Sequence, residues 1–227
     1  SLIDMNGIWV SEELITCRVP RLSPGTSHVS VSFNGYDFTK ESLKYKSFID
    51  IGISHIYPSH GPSTGGTQVT ITGSNFFFSS MLRCSFGLSS VSAAFVDSSK
   101  IKCISPEPYG QRAGTVPLSV TFNGKDYVNA DSDFVYSPIV VVHSIQPVRG
   151  PLSGMTVVTL TGSNFVNSTT LLCRFGQESV TAFFVSPTVI TCKTPPHEEG
   201  AVEVFVTTNG QDFTTVGPMF KFRSALT

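Results

Sequence analysis

The sequence predicts an all-β chain built from tandem two-sheet sandwiches, and three observations predict it. The first is an internal repeat. Ile-x-Cys-x-x-Pro occurs at Ile15–Pro20, Ile101–Pro106 and Ile190–Pro195, and self-similarity of this kind marks a repeated structural unit. The second is apolar alternation with period two along most of each repeat, the pattern of half-buried strands. The third is the want of any helix-period segment, with Gly, Pro and Asn-Gly clusters standing between the apolar runs instead. Short strands of that kind bury their inward rows against a facing sheet.

Composition agrees. Val, Ile, Phe and Thr are plentiful, while charged residues make up 14% of 227 positions and the net charge is −1. β-branched and aromatic residues suit a pleated, half-buried surface. The charge balance supplies no basic footprint for nucleic acid or for an anionic membrane. No apolar run approaches the ~18 residues of a membrane span, and residues 1–20 do not read as a signal peptide. Direct membrane insertion by this segment is therefore not expected.

Residues 1–50 align with the second repeat when Cys17 is set on Cys103, 86 positions on. Trp9-Val10 then meets Phe95-Val96, and Met5 meets Val91. After Cys17, the residues Val29, Val31 and Phe33 alternate as a strand face, and Asn34-Gly35 makes a turn before Tyr36-Asp37-Phe38. An upstream Cys-x-Phe-Gly precedes the second and third copies at Cys84–Gly87 and Cys173–Gly176, but none precedes Cys17. Its counterpart would fall before Ser1, so residues 1–50 are expected to be the C-terminal part of a truncated domain.

Residues 51–138 form the first complete domain. Ile53–Pro58 is a short strand ended by proline and by the turn Gly61–Gly66, and Thr67–Gly73 alternates with Val69 and Ile71 inward. Leu82, Cys84 and Phe86 share one face, Val91, Ala93 and Phe95 another, and Ile101 and Cys103 follow. Val116, Leu118, Val120 and Phe122 lead to Asn123-Gly124, read as a type I′ hairpin turn that needs two residues tolerant of positive φ. Residues 139–223 form the second complete domain. Pro147, Gly150, Gly154, Gly162, Asn164, Phe165 and Cys173 stand 89 positions after their counterparts, and Asn209-Gly210 repeats the turn. Three extra residues near Tyr109–Thr115 mark a surface loop in the first complete domain. The joints hold no Gly/Ser tract, which predicts a semi-rigid rod.

Four of five cysteines fall into two pairs of equal spacing, read as one disulfide per repeat. Repeats close their own bonds, so Cys84 pairs with Cys103 and Cys173 with Cys192. Cys17 is left unpaired in this segment. The competing reading is buried free thiols in a reducing compartment. Zinc lacks a Cys-x-x-Cys or a repeated histidine pair. Asn167-Ser168-Thr169 is a glycosylation sequon in a loop, which makes Asn167 a glycan acceptor in a secreted chain.

Candidate chemistry elsewhere gives way to structural readings. Gly61-Pro62-Ser63-Thr64-Gly65 matches the nucleophile-elbow pattern, but a strand follows it where the elbow requires a helix, and the equivalent stretch carries Leu152 at its centre. It also lacks the lysine of a phosphate-binding loop. His28, His55, His60, His143 and His197 occupy unrelated repeat positions and read as exposed or edge residues. Asp126, Asp131 and Asp133 lack the spacing of a calcium loop. Asp37, Asp126 and Asp212 recur after the Asn-Gly turn and are read as bonding the local backbone. No catalytic residue, cofactor site or metal site is assigned.

Gly61 through Phe76 resembles the opening of an IPT/TIG domain, as does Pro147 through Phe165 with Met155 replacing the second glycine of the pair. The closing Asn-Gly-x-Asp-Phe/Tyr and the strands Phe134-Val135-Tyr136 and Phe220-Lys221-Phe222 are similar too. The resemblance implies immunoglobulin-like sandwiches of the kind found in plexin and Met-type ectodomains and in long cell-surface arrays. A shared fold does not carry a shared activity. The function expected is that of a non-enzymatic, extracellular or cell-surface structural or adhesive repeat segment that spaces and presents protein contacts. The alternative is the stalk of a plexin- or Met-like receptor, positioning a ligand-binding head. The partners expected are other domains of the same long chain and proteins on the cell surface or in an extracellular assembly. A Rel-type DNA-binding module would need a basic loop that is missing. A carbohydrate-associated module would need an aromatic platform, whereas Trp9 aligns with Phe95.

Overall fold

Alternating Val, Ile and Phe rows draw the chain into strands throughout. The computed structural model describes residues 3–110 and 112–224; Gln111, in the loop expected near Tyr109–Thr115, lies outside them. The chain divides into two units, Ser1–Ile51 and Gly52–Thr227, each described by itself.

The larger unit holds two sandwiches in succession. In the first, one face consists of Gly52–Tyr57, Gln68–Ser74 and Lys100–Ile104, and the opposite face of Arg83–Phe86, Leu118–Thr121 and Tyr127–Asn129. The strand Ser89–Asp97 belongs to both. Its first half pairs with Arg83–Phe86, and its second half, from Ala93 on, pairs with Lys100–Cys103. A register shift between Lys100 and Ile101, opposite Asp97 and Phe95, lies near the far end of the strand, and such bulges bend a strand and increase its twist. A small sheet of Gly114–Val116, Phe134–Ser137 and His60–Pro62 closes the side, with the last two paired in parallel. The second sandwich repeats this framework, with Glu178–Ser186 crossing between faces.

The inward rows meet in the middle. Val69, Ile71, Ile101, Val120 and Phe134 are fully buried in the first sandwich, as are Val158, Leu160, Phe175, Ile190, Val206 and Phe220 in the second. Burying each such side chain contributes roughly 1.5–3 kcal/mol. The aromatic contacts are duplicated: Phe86 meets Phe134 edge-on at 5.2 Å between centroids, and Phe175 meets Phe220 at 5.7 Å. The Ile-x-Cys-x-x-Pro motif also acquires a structural reason. Gly65 has φ 72°, and a Cβ there would lie 2.6 Å from the carbonyl carbon of Pro106. Gly154 stands in the same relation to Pro195. Only glycine lets this loop approach the proline backbone so closely. Met155, in place of the second glycine of the pair, adopts φ 63°.

The smaller unit pairs Gly7–Ser11 with Leu14–Cys17 and Gly25–Val29 with Leu43–Ser47. Trp9 opposes Ile15 as Phe95 opposes Ile101, and Gly25 opposes Ser47 as Gly114 opposes Tyr136. Its apolar side chains are not enclosed. Phe33 is 84% exposed, whereas Phe122 at the same repeat position is 5% exposed.

The Asn-Gly turn departs from the type I′ expectation. In all three copies only the glycine has positive φ, and the strand partners stand further apart, Thr121 opposite Tyr127 and Thr207 opposite Phe213. A two-residue turn is replaced by a wider loop because the asparagine side chain, not the backbone, organises it.

Candidate functional site at the domain joint

Asn209 Oδ1 accepts hydrogen bonds from the backbone N–H of Gln211 (3.1 Å) and Asp212 (2.8 Å), while its Nδ2 donates to Asp212 Oδ2 at 2.7 Å. Asn123 makes the same set with Lys125 and Asp126, and Asn34 with Tyr36 and Asp37. Each aspartate carboxylate therefore accepts from the asparagine amide, which corrects the expectation that it bonds the local backbone. The backbone acceptor in these loops is the asparagine oxygen, an Asx-type arrangement.

In the last copy the turn carries more than its own geometry. Thr67 Oγ1 of the preceding domain donates to Asp212 Oδ2 at 2.6 Å. Asn209 Nδ2 also donates to His60 O at 3.1 Å, and His60 Nε2 lies 3.1 Å from Thr208 O. Within the second sandwich, Thr170 Oγ1 donates to the same Thr208 carbonyl at 2.8 Å. The Gln211 amide, oriented by its partners, spans both backbone groups of Gln68, accepting from its N–H (2.7 Å) and donating to its C=O (3.1 Å). Thr67 is 0% exposed and Asn209 2%, while Asp212 is half-buried and Gln211 exposed, so this is a partly buried polar contact whose enclosed groups are satisfied, the condition under which buried polar groups are tolerated. The carboxylate makes the Thr67 bond charge-assisted.

Beside the joint runs a groove of about 520 Å³ bordered by Tyr57, His60, Val135, Asn167 and Thr170. Asn167 is exposed on its rim. His60, expected as an unremarkable edge histidine, is half-buried in the joint. His28, His55 and His143 are exposed, and His197 stacks on Phe222 at 4.8 Å. No group of three or more His, Cys, Asp or Glu able to hold a metal occurs among the described residues.

Cys84 and Cys103 are disulfide-bonded, joining the strand Arg83–Phe86 to Lys100–Ile104. The pairing expected between Cys173 and Cys192 is open: both are buried free thiols. They occupy the same framework, Cys173 opposite Val206 and Cys192 opposite Val158, as Cys84 opposite Val120 and Cys103 opposite Val69. A hydrogen bond with Cys192, together with burial, pushes the Cys173 thiol well above its usual range. Cys17 is exposed and free.

Sequence reasoning missed the joint. In the sequence Asp212 is a local turn residue and Thr67 the first residue of a strand. The available signal was a threonine at the same place in both complete domains, Thr67 and Thr156, just ahead of an inward valine.

The family follows from these repeated features. The IPT/TIG domain signature matches residues 52–136 and 140–222. The chain belongs to the IPT/TIG family. It is 29% identical to human Plexin-A4 over 154 residues, covering 65% of this chain and 8% of that protein. It is 33% identical to human Fibrocystin-L over 159 residues, covering 68% of this chain and 4% of that protein. Against a structure of the full extracellular region of plexin A4 the TM-score is 0.53 at 24% identity, over 78% of this chain and 16% of that one, which supports the fold. The IPT/TIG chain thus spans less than a tenth of the length of these two relatives. No helix among its described residues is long and apolar enough to cross a membrane.

Proposed function

We propose that this IPT/TIG segment is a non-enzymatic stalk module of a large extracellular or cell-surface protein, of the plexin- or Met-like receptor type, whose joined domains position a ligand-binding head. Thr67–Asp212 and the bonds around it carry the reading. A flexible tether has no use for a charge-assisted, partly buried latch, whereas a stalk that sets distance and direction does. Similarity to Plexin-A4 favours the receptor setting, and the partners are then neighbouring domains of one chain and proteins at the cell surface. Residues 1–50 are, in this reading, the C-terminal part of a further IPT/TIG domain, since their strand registers repeat those of the complete domains. The closed state of both cysteine pairs and a glycan on Asn167 belong to the same extracellular setting.

The similarity to Fibrocystin-L favours a second reading, a long structural or adhesive array. Both readings require a stiff joint.

Residual dipolar couplings on the whole chain test it. Residues 52–137 and 140–222 should fit a single alignment tensor. Two tensors of different magnitude would show independent domains and end the stalk reading.

A further inference from the structure

The seat that holds the Asn209 turn is built twice in the molecule. In the first complete domain, Thr67 N donates to Ser105 Oγ at 3.1 Å, Ser105 N donates back to Thr67 O at 2.8 Å, and Gly66 N donates to Ser105 O at 2.8 Å. In the second complete domain, Thr156 N donates to Thr194 Oγ1 at 3.2 Å, Thr194 N to Thr156 O at 2.9 Å, and Met155 N to Thr194 O at 2.8 Å. Gly150 stands where Gly61 stands, and a Cβ on either would collide with the threonine hydroxyl above it. Both hydroxyls are therefore held over a glycine in one orientation.

What differs is the cover. Thr67 is wholly buried beneath Asp212, while Thr156 is only half-buried, flanked by Met155 at 68% exposure and Val157 at 56%. Arg149 replaces His60 on the parallel edge strand, opposite Lys221 as His60 is opposite Val135. That exchange keeps a donor beside the seat and adds a fixed positive charge. Val157 replaces Gln68, whose contribution to the joint is its backbone N–H and C=O, groups that valine also has.

We propose that the seat formed by Gly150, Thr156 and Arg149 docks the Asn-Gly-x-Asp turn of a further IPT/TIG domain. The Thr156 hydroxyl donates to the incoming aspartate, and the Arg149 guanidinium complements its charge. The occupant is identified by the seat's own twin, which holds that turn. This deepens the stalk reading and rests on it, because it makes the latch a propagating joint between successive domains. A heterologous contact of this kind can be repeated from one domain to the next, because seat and turn lie on different surfaces of each domain.

The test lengthens the whole chain by repeating residues 138–223 directly after Arg223, the position equivalent to Ser137. Dipolar couplings of the added domain should fit the tensor of the domain before it, and amide exchange in its Asn-Gly turn should slow about tenfold relative to the exposed Asn123 turn. T156V in the lengthened chain should return that exchange to the Asn123 value. An added domain that is folded but aligns independently, or a T156V chain that keeps the protection, overturns the proposal. If the existing tandem itself needs two tensors, the stalk reading falls; if only the added domain does, the socket alone falls. Should the lengthened chain fail to fold, the isotope-labelled chain is titrated with unlabelled chain to about millimolar concentration, the range a short linker imposes. Shifts confined to residues 149–157 and the Asn123 turn support the seat, and shifts absent or elsewhere overturn it.

Discussion

The Thr67 hydroxyl and the Asp212 carboxylate, 145 residues apart in sequence, share a 2.6 Å hydrogen bond that joins two successive sandwiches. Asp212 is already committed to Asn209 within its own loop. The loop therefore presents a preorganised acceptor, and little ordering entropy is lost when the preceding domain meets it.

Breaking that bond should uncouple the domains more than it unfolds them. Hydrogen bonds to charged groups contribute about 1.5–3 kcal/mol, so T67V and D212N should each lower the interaction by roughly that amount. A double-mutant cycle in calorimetry should show the pair strongly non-additive. Additive effects would mean that the two residues act separately.

The open thiol pair should close in an oxidising medium. Cys173 and Cys192 are buried and on the same framework as the bonded Cys84 and Cys103. Material secreted through an oxidising compartment should retain one titratable thiol, Cys17, after denaturation without reductant. Closing the pair should stabilise its domain by roughly 3 kcal/mol, read as a raised denaturation midpoint. Three thiols in that assay would refute closure.

Alkaline pH should weaken the first complete domain. Burial raises Tyr136 to about 12 from its ordinary value of 10.0, and its hydroxyl donates to Pro106 O at 2.7 Å. The folded state therefore keeps a proton that the unfolded chain releases. This contribution is fully present below pH 10 and is lost progressively as pH rises from about 10 to about 12. Urea unfolding between pH 9 and 12 should show the decline, and Y136F should flatten it while lowering stability at neutral pH through the unpaired Pro106 carbonyl.

The core predicts ordinary but large losses. Ile101 and Leu160 are fully buried at the centres of the two sandwiches. Replacing either with alanine should cost about 2–5 kcal/mol, measured as a drop in the melting transition of that domain alone. A loss below about 1 kcal/mol at either site would contradict the packing described.

Asn167 borders the groove at the joint. Secreted material should carry a glycan there, seen as a mass lost on glycosidase treatment and missing in N167Q. Unchanged mass would exclude the modification.

Much of the architecture is local, and so it was legible in the sequence. Val69, Ile71, Leu82, Cys84, Val120 and Phe122 lie inward because period-two alternation assigns a face without knowledge of the partner strand. Gly65 and Gly154 are required by the backbone approach to Pro106 and Pro195, and their recurrence beside Ile-x-Cys-x-x-Pro already pointed to a unit. The IPT/TIG resemblance rested on those residues. The dipeptide marks the place of the Asn-Gly turn but not its geometry, because an asparagine oxygen accepting two N–H groups outweighs the hairpin preference of the dipeptide.

The sequence by itself thus determined the strands, the repeat and the family. Only the tertiary structure decided what Thr67, His60 and Asp212 do, since the turns at Asn123 and Asn209 share the Asn-Gly-x-Asp pattern and its internal hydrogen bonds yet differ in burial through what is packed against them. It also decided that Ser89–Asp97 serves both faces of its sandwich. Hydrogen bonds within a turn follow from chain neighbours a few residues apart. A contact across 145 residues exists only after two domains have folded and met.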